Sequence, residues 1–144
     1  MRVRGTATVK DSTFKNITQT SANNNAGAIY VDSTSSTLYL ENNIMEDLTA
    51  NAADIYFNNG NITSTVKVIG ENITVNQEDP VELTLNVTDD NGNSIAFRSN
   101  PFTVKIDDTT LTTSFTKGAI TSEFDASFDP GSYLINITLA SSII

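Results

Sequence analysis

A twelve-residue stretch of this chain returns 31 residues later with its apolar positions kept. Ala7-Thr-Val9-Lys-Asp-Ser-Thr-Phe14-Lys-Asn16-Ile17-Thr18 becomes Leu38-Tyr-Leu40-Glu-Asn-Asn-Ile-Met45-Glu-Asp47-Leu48-Thr49. Four apolar pairs align: Ala7/Leu38, Val9/Leu40, Phe14/Met45 and Ile17/Leu48. A second pair of segments, Ile29-Tyr30-Val31-Asp32 and Ile55-Tyr56-Phe57-Asn58, is separated by 26. One insertion or deletion in the polar stretch from Gln19 to Ala28 would account for the difference. A period of this length, built from β-forming residues, is the signature of stacked coils.

The strand signals before residue 70 are short and bounded by Asn, Ser, Asp or Gly. They predict strands at 6–10, 14–17, 28–31, 37–41, 45–48, 54–57 and 65–69, and no segment has helical periodicity. Three short strands per coil describe a right-handed parallel β-helix. Parity assigns the faces. Asp32 and Asp54 exclude their own set from a dry interior. Ile29, Val31, Ile55 and Phe57 are therefore expected inside and Tyr30 and Tyr56 outside. Val9, Leu40, Phe14 and Met45 also point in, and Lys10 stacks beside Glu41 on the surface. Only about two and a half coils are present, which leaves open strand edges. The expectation is a fragment of a longer protein.

Composition narrows the chemistry. The chain has no Cys, no His and no Trp, which removes thiol nucleophiles, disulfides, His-based triads and ordinary zinc sites. Its formal charge is −9, with no basic stripe for phosphates, so no nucleic-acid partner is expected. No apolar stretch is long enough to span a bilayer. The 17 Asn, 21 Thr and 14 Ser favour strands and tight corners and point to an all-β, extracellular or cell-surface protein. Export and anchor signals are then expected on sequence outside this chain.

Beyond Gly70 the pattern changes. Gln77-Glu-Asp-Pro80 is a polar break, and Val81-Glu-Leu83-Thr-Leu85-Asn-Val87-Thr alternates strictly. Asp89-Asp-Asn91-Gly92-Asn reads as a hairpin-type turn. Further strands are predicted at 102–106, 110–116, 119–126 and 133–139, at the spacing of a small β-sandwich. The expected division is 1–72 and 73–144, with the second part able to fold alone.

The block AGAIYVDS (26–33) and the following TLYLENNIMEDLTANAADIYFNNG (37–60) resemble the β-helix repeats of adhesin-like surface proteins, particularly those of methanogenic archaea. Ala26-Gly27 stands for the paired glycines usual there, and Met45-Glu-Asp47 replaces the Phe-x-Asn that Phe14-Lys-Asn16 keeps. Residues 76–140 resemble a bacterial-type immunoglobulin-like domain. The resemblance implies a β-helix followed by an immunoglobulin-like β-sandwich, acting without catalysis as a stalk or attachment module.

Four residues are candidates for ligand contact. Tyr30 over Tyr56 is a platform suited to a surface glycan, with Asp32 and Asn58 as flanking hydrogen-bond groups; the alternative is ordinary cross-coil stacking. A surface protein of another cell is the other expected partner. No catalytic residue, metal or cofactor is expected. The Asp89–Asn93 run invites a calcium reading, but it lacks the distal Glu of a cation loop, and a plain turn is the expectation. Asp107-Asp108, Glu46-Asp47, Asp32 and Asp54 are too scattered, and too short of cationic helpers, for glycoside cleavage. A fragment of a carbohydrate-active β-helix enzyme is the competing function.

Overall fold

The computed structural model describes residues 1–21 and 25–140. The fold is all-β, with sixteen strands and no helix among the described residues. The first nine are β1 (Arg2–Val3), β2 (Thr6–Lys10), β3 (Thr13–Thr18), β4 (Ala26–Val31), β5 (Thr37–Glu41), β6 (Ile44–Thr49), β7 (Ala53–Phe57), β8 (Asn61–Ile62) and β9 (Lys67–Ile69). The other seven are β10 (Pro80–Thr88), β11 (Ile95–Phe97), β12 (Phe102–Ile106), β13 (Thr109–Thr110), β14 (Ser114–Thr116), β15 (Ala119–Asp125) and β16 (Ile135–Leu139).

The first eight strands pair in parallel as three ladders, β1-β4-β7, β2-β5-β8 and β3-β6. The register is the one the sequence aligns. Val9 lies beside Leu40, Phe14 beside Met45, Ile17 beside Leu48 and Tyr30 beside Tyr56. The expected inward set is buried: Ile29, Val31, Ile55 and Phe57 are at most 2% exposed. Each such side chain removed from water contributes roughly 1.5–3 kcal/mol. On the outside, Lys10 Nζ reaches Glu41 at 3.0 Å and Lys15 reaches Glu46 at 3.3 Å across the ladders.

The corners explain the abundance of Asn and Asp. Asp11 and Asn42 occupy equivalent corners with φ of 50° and 53°, and Asn16 and Asp47 do so with φ of 56° and 53°. These are left-handed conformations that Asn and Asp tolerate better than other side chains. Gly60 turns another corner at φ 94°, where a Cβ would lie 2.8 Å from the Ser36 carbonyl oxygen.

The change of spacing between the repeated segments is not one insertion. Ala26 pairs with Ala53 but Ile29 pairs with Ile55, so β4 holds one extra residue in a bulge at Gly27-Ala28. The rest of the change falls between Gln19 and Asn25, a stretch that includes residues outside the described ones.

From β9 onward the pairing is antiparallel except at β11. One sheet has the order β14-β15-β10-β9 and the other β13-β12-β16. Along β10, Val81, Leu83, Leu85 and Val87 are buried and Glu82, Thr84 and Asn86 exposed, as the alternation predicts. Two expectations change. Residues 110–116 form two short strands around Leu111 rather than one. The Asp89–Asn93 turn closes only a single bridge, Thr88 to Ser94, before the chain leaves β10. It then enters β11, which pairs in parallel with β7: Ile95 beside Ile55, Ala96 beside Tyr56, Phe97 beside Phe57. A strand from the second half thus completes a sheet of the first. The signal was in the sequence, since Ile95-Ala-Phe97 repeats the pattern of Ile55-Tyr-Phe57. One apolar cluster runs from Val3 through Phe57 and Phe97 to Ile120. The core therefore crosses the position at which the sequence suggests an autonomous second part.

Candidate functional site

Tyr30 and Tyr56 sit side by side on β4 and β7, and Asp32 and Asn58 follow the ends of those strands. The Tyr30 and Tyr56 ring centroids are 5.6 Å apart with 33° between planes. The pair forms, but Tyr56 is not a platform. It is 8% exposed, packed with Ala26, Ala53 and Ala96, and Phe115 of the antiparallel sheet lies against that cluster. This corrects the outward assignment of Tyr56. Asp54 keeps that strand face out of the parallel core, but Ala96 of β11 pairs beside Tyr56 and Phe115 of β14 packs against the cluster they form. Tyr30 remains half-buried.

Asp32 is held by two arginines. Its Oδ2 accepts from Arg2 Nη2 at 2.6 Å, Arg2 Nε at 3.0 Å and Arg4 Nε at 3.1 Å. The hydrogen bond from Arg2 above all holds the Asp32 carboxyl below the usual carboxylate range. The same guanidinium lies 5.8 Å from the Tyr30 ring centroid. Burial, and then the Asp32 charge, push the Tyr30 hydroxyl up. Arg2 therefore belongs to β1, opposite Tyr30, and Arg4 follows in the bend that leads to β2. The alternation Arg2-Val3-Arg4 with a buried Val3 was the available sign.

Asn58 stands apart from the other three. It lines a recess of about 260 Å³ with Thr34, Phe57, Gly60, Phe97 and Arg98, and none of Tyr30, Asp32 or Tyr56 reaches it. What the structure brings together is an Arg2–Tyr30–Asp32 corner, cationic and aromatic, with both arginine side chains largely in solvent.

The other acidic residues do not converge. Glu46 is engaged by Lys15. Asp47 and Asp107 occupy left-handed corners. Asp54 Oδ2 accepts from the Ser94 amide at 3.2 Å, and burial pushes its carboxyl up. No group of three Cys, His, Asp or Glu stands close enough to hold a metal among the described residues.

The most highly built polar feature lies at the Asp89–Asn93 turn. Asp89 is fully buried. Its Oδ1 accepts from the Asn91 and Asn93 amides, both at 2.9 Å, and its Oδ2 accepts from Asn93 Nδ2 at 2.8 Å. Asn91 and Asn93 each also donate a side-chain N–H to the Asn43 carbonyl, at 2.6 and 2.9 Å. Buried Asn43 in turn donates to Val9 O at 2.8 Å and accepts from the Ser12 amide at 3.1 Å. Three N–H donors thus surround the Asp89 carboxylate. The network rivets the β5–β6 corner to the β10–β11 turn. Asp89→Ala should cost about 3 kcal/mol, because it orphans buried donors. Asp90→Ala should cost under about 1 kcal/mol, since that carboxylate accepts one exposed bond, from the Asn42 amide. Chemical denaturation of the two variants measures the difference.

Comparison with known proteins adds no relative: the chain matches no protein-family model, no curated protein and no solved structure.

Proposed function

We propose that this chain is a non-enzymatic segment of an adhesin-like cell-surface protein. In this reading β1–β8 are coils of a right-handed parallel β-helix, and the antiparallel sheets are an immunoglobulin-like sandwich that caps and extends it. The segment serves as a rigid stalk or attachment module outside the cell. One observation carries the reading: the three parallel ladders share the register of the sequence repeat, with an apolar interior and salt-bridged exterior. Such an object holds its shape over its length, which suits spacing and presentation rather than turnover.

Any glycan contact is assigned to the Arg2–Tyr30–Asp32 corner. One ring with a guanidinium and a carboxylate supports weak sugar binding through stacking and charge-assisted hydrogen bonds. On a glycan array the expected result is weak binding at most, lost in the Tyr30→Ala/Arg2→Ala double variant. Tyr56→Ala is no test of contact, because that ring is buried. Binding unaffected by the double variant would move the contact elsewhere. Release of reducing sugars from microbial or plant polysaccharides would establish the competing carbohydrate-active enzyme instead.

A further inference from the structure

Strand β16 has one paired edge and one open edge. It pairs with β12 through Thr138 opposite Thr103 and Asn136 opposite Lys105, and no described strand lies on its other side. The Ala140 amide donates to Pro101 O at 2.8 Å. Backbone groups alternate along a strand, so Asn136 and Thr138 also face β12. The N–H and C=O groups of Ile135, Ile137 and Leu139 then face outward at the free edge.

Exposed edges are ordinarily blunted by charge, proline or shortness. The other edges of this molecule obey that rule. Strands β1, β2, β3 and β6 carry Arg2, Lys10, Lys15 and Glu46 respectively, and β9 carries Lys67. Arg98 follows β11, Lys117 follows β14, Asp107 and Asp108 precede β13, and β8 is two residues long. By contrast, β16 has no charge, no proline and five residues. The whole run 130–144 is uncharged in a chain of net charge −9. Below β16 lies an apolar groove of about 320 Å³ lined by Val66, Val68, Phe102, Ile135, Ile137 and Leu139. A second groove, of about 390 Å³, continues from it past Ile135 toward Phe124 and Phe128.

We infer that β16 is a homodimerisation edge: two copies pair β16 antiparallel about a two-fold axis at Ile137. The sequence is self-complementary in that register. Ile135 lies opposite the partner copy's Leu139, Ile137 opposite itself, and Asn136 opposite the partner copy's Thr138. Apolar side chains then meet over the joined grooves, and neutral polar ones meet outside. A two-fold contact needs a patch that fits itself. Two acidic chains repel elsewhere, so an uncharged edge is where they can approach.

Sedimentation velocity on the full chain is expected to show a dimer with Kd below about 100 µM. Asn136→Glu/Thr138→Glu places like charges opposite each other across the axis and should give monomer. Asn136→Glu/Thr138→Lys places opposite charges there and should restore the dimer. Both side chains are exposed, and circular dichroism checks that the fold is kept. Hydrogen exchange on the unaltered chain supplies a second reading. Raising concentration from the monomer to the dimer range should slow the Ile135, Ile137 and Leu139 amides at least about tenfold and leave Asn136 and Thr138 unchanged. A monomer throughout this range, a dimer indifferent to the glutamates, or no selective protection of the three amides would overturn the inference.

Discussion

Phe57→Asp is expected to abolish the cooperative fold. Phe57 is 2% exposed between Val31 and Phe97, with the Phe97 ring centroid 5.2 Å away. The substitution removes a stacked aromatic and leaves an unpaired carboxylate where the parallel ladders meet the antiparallel sheets. Together these cost more than about 5 kcal/mol, comparable to the whole stability of an ordinary domain. Tyr56→Asp, on the opposite face of the same strand, is expected to cost about 3–4 kcal/mol, since the residue it replaces is buried among alanines. Tyr30→Asp, the equivalent position on β4, should cost about 1 kcal/mol, because that ring keeps access to water and Arg2 stands beside it to pair the new charge. Thermal unfolding of the three variants gives the order. If Tyr56→Asp proves as mild as Tyr30→Asp, the covering of the second face by β11 and Phe115 is wrong.

That order differs from the one parity alone suggests, and the difference shows how far a sequence of this kind can be read. The repeat made Ile29, Val31, Ile55 and Phe57 legible because stacked parallel strands bring equivalent residues together, and a period in sequence becomes a neighbour in space. Alternation made β10 legible for the same reason at shorter range. Tyr56 was misread because burial on the outer face depends on what arrives from elsewhere in the chain. Asp54 marked that face as polar, yet its carboxylate reaches the Ser94 amide while Tyr56 shares an apolar cluster with Ala96 and Phe115. Two residues on one face met different cover, which no local period encodes. Arg2 and Arg4 were likewise obscure, because β1 is two residues long and pairs only through its register with Tyr30 and Val31. The Asp89 network was half legible. Asp-Asn-Gly-Asn announced a turn, but its docking onto Asn43 is a contact across 48 and 50 residues, and only the fold supplies it.

The same long-range pairing joins the two halves of the chain, with a measurable consequence. Cutting between residues 72 and 73 separates β9 from β10 and β7 from β11. The first fragment loses the strand that covers β7 and the Phe97 ring above Phe57. The second loses β9 and leaves Ile95 and Phe97, at most 5% exposed in the intact chain, on an unpaired edge. Fragments 1–72 and 73–144, prepared separately, should each lack a sharp thermal transition. Mixed in equal amounts they should regain one, because the buried surface between them is the core itself. Circular dichroism melts of the fragments and the mixture read this directly. A cooperative melt of 73–144 alone would show that the antiparallel sheets stand without β7, and that β11 docks on a body already folded. A mixture no more ordered than its parts would mean that covalent connection, and not the shared core, holds the halves together. Between those results lies the physical question this chain poses: whether a stack of parallel strands is capped by a finished domain, or finished by the strand that caps it.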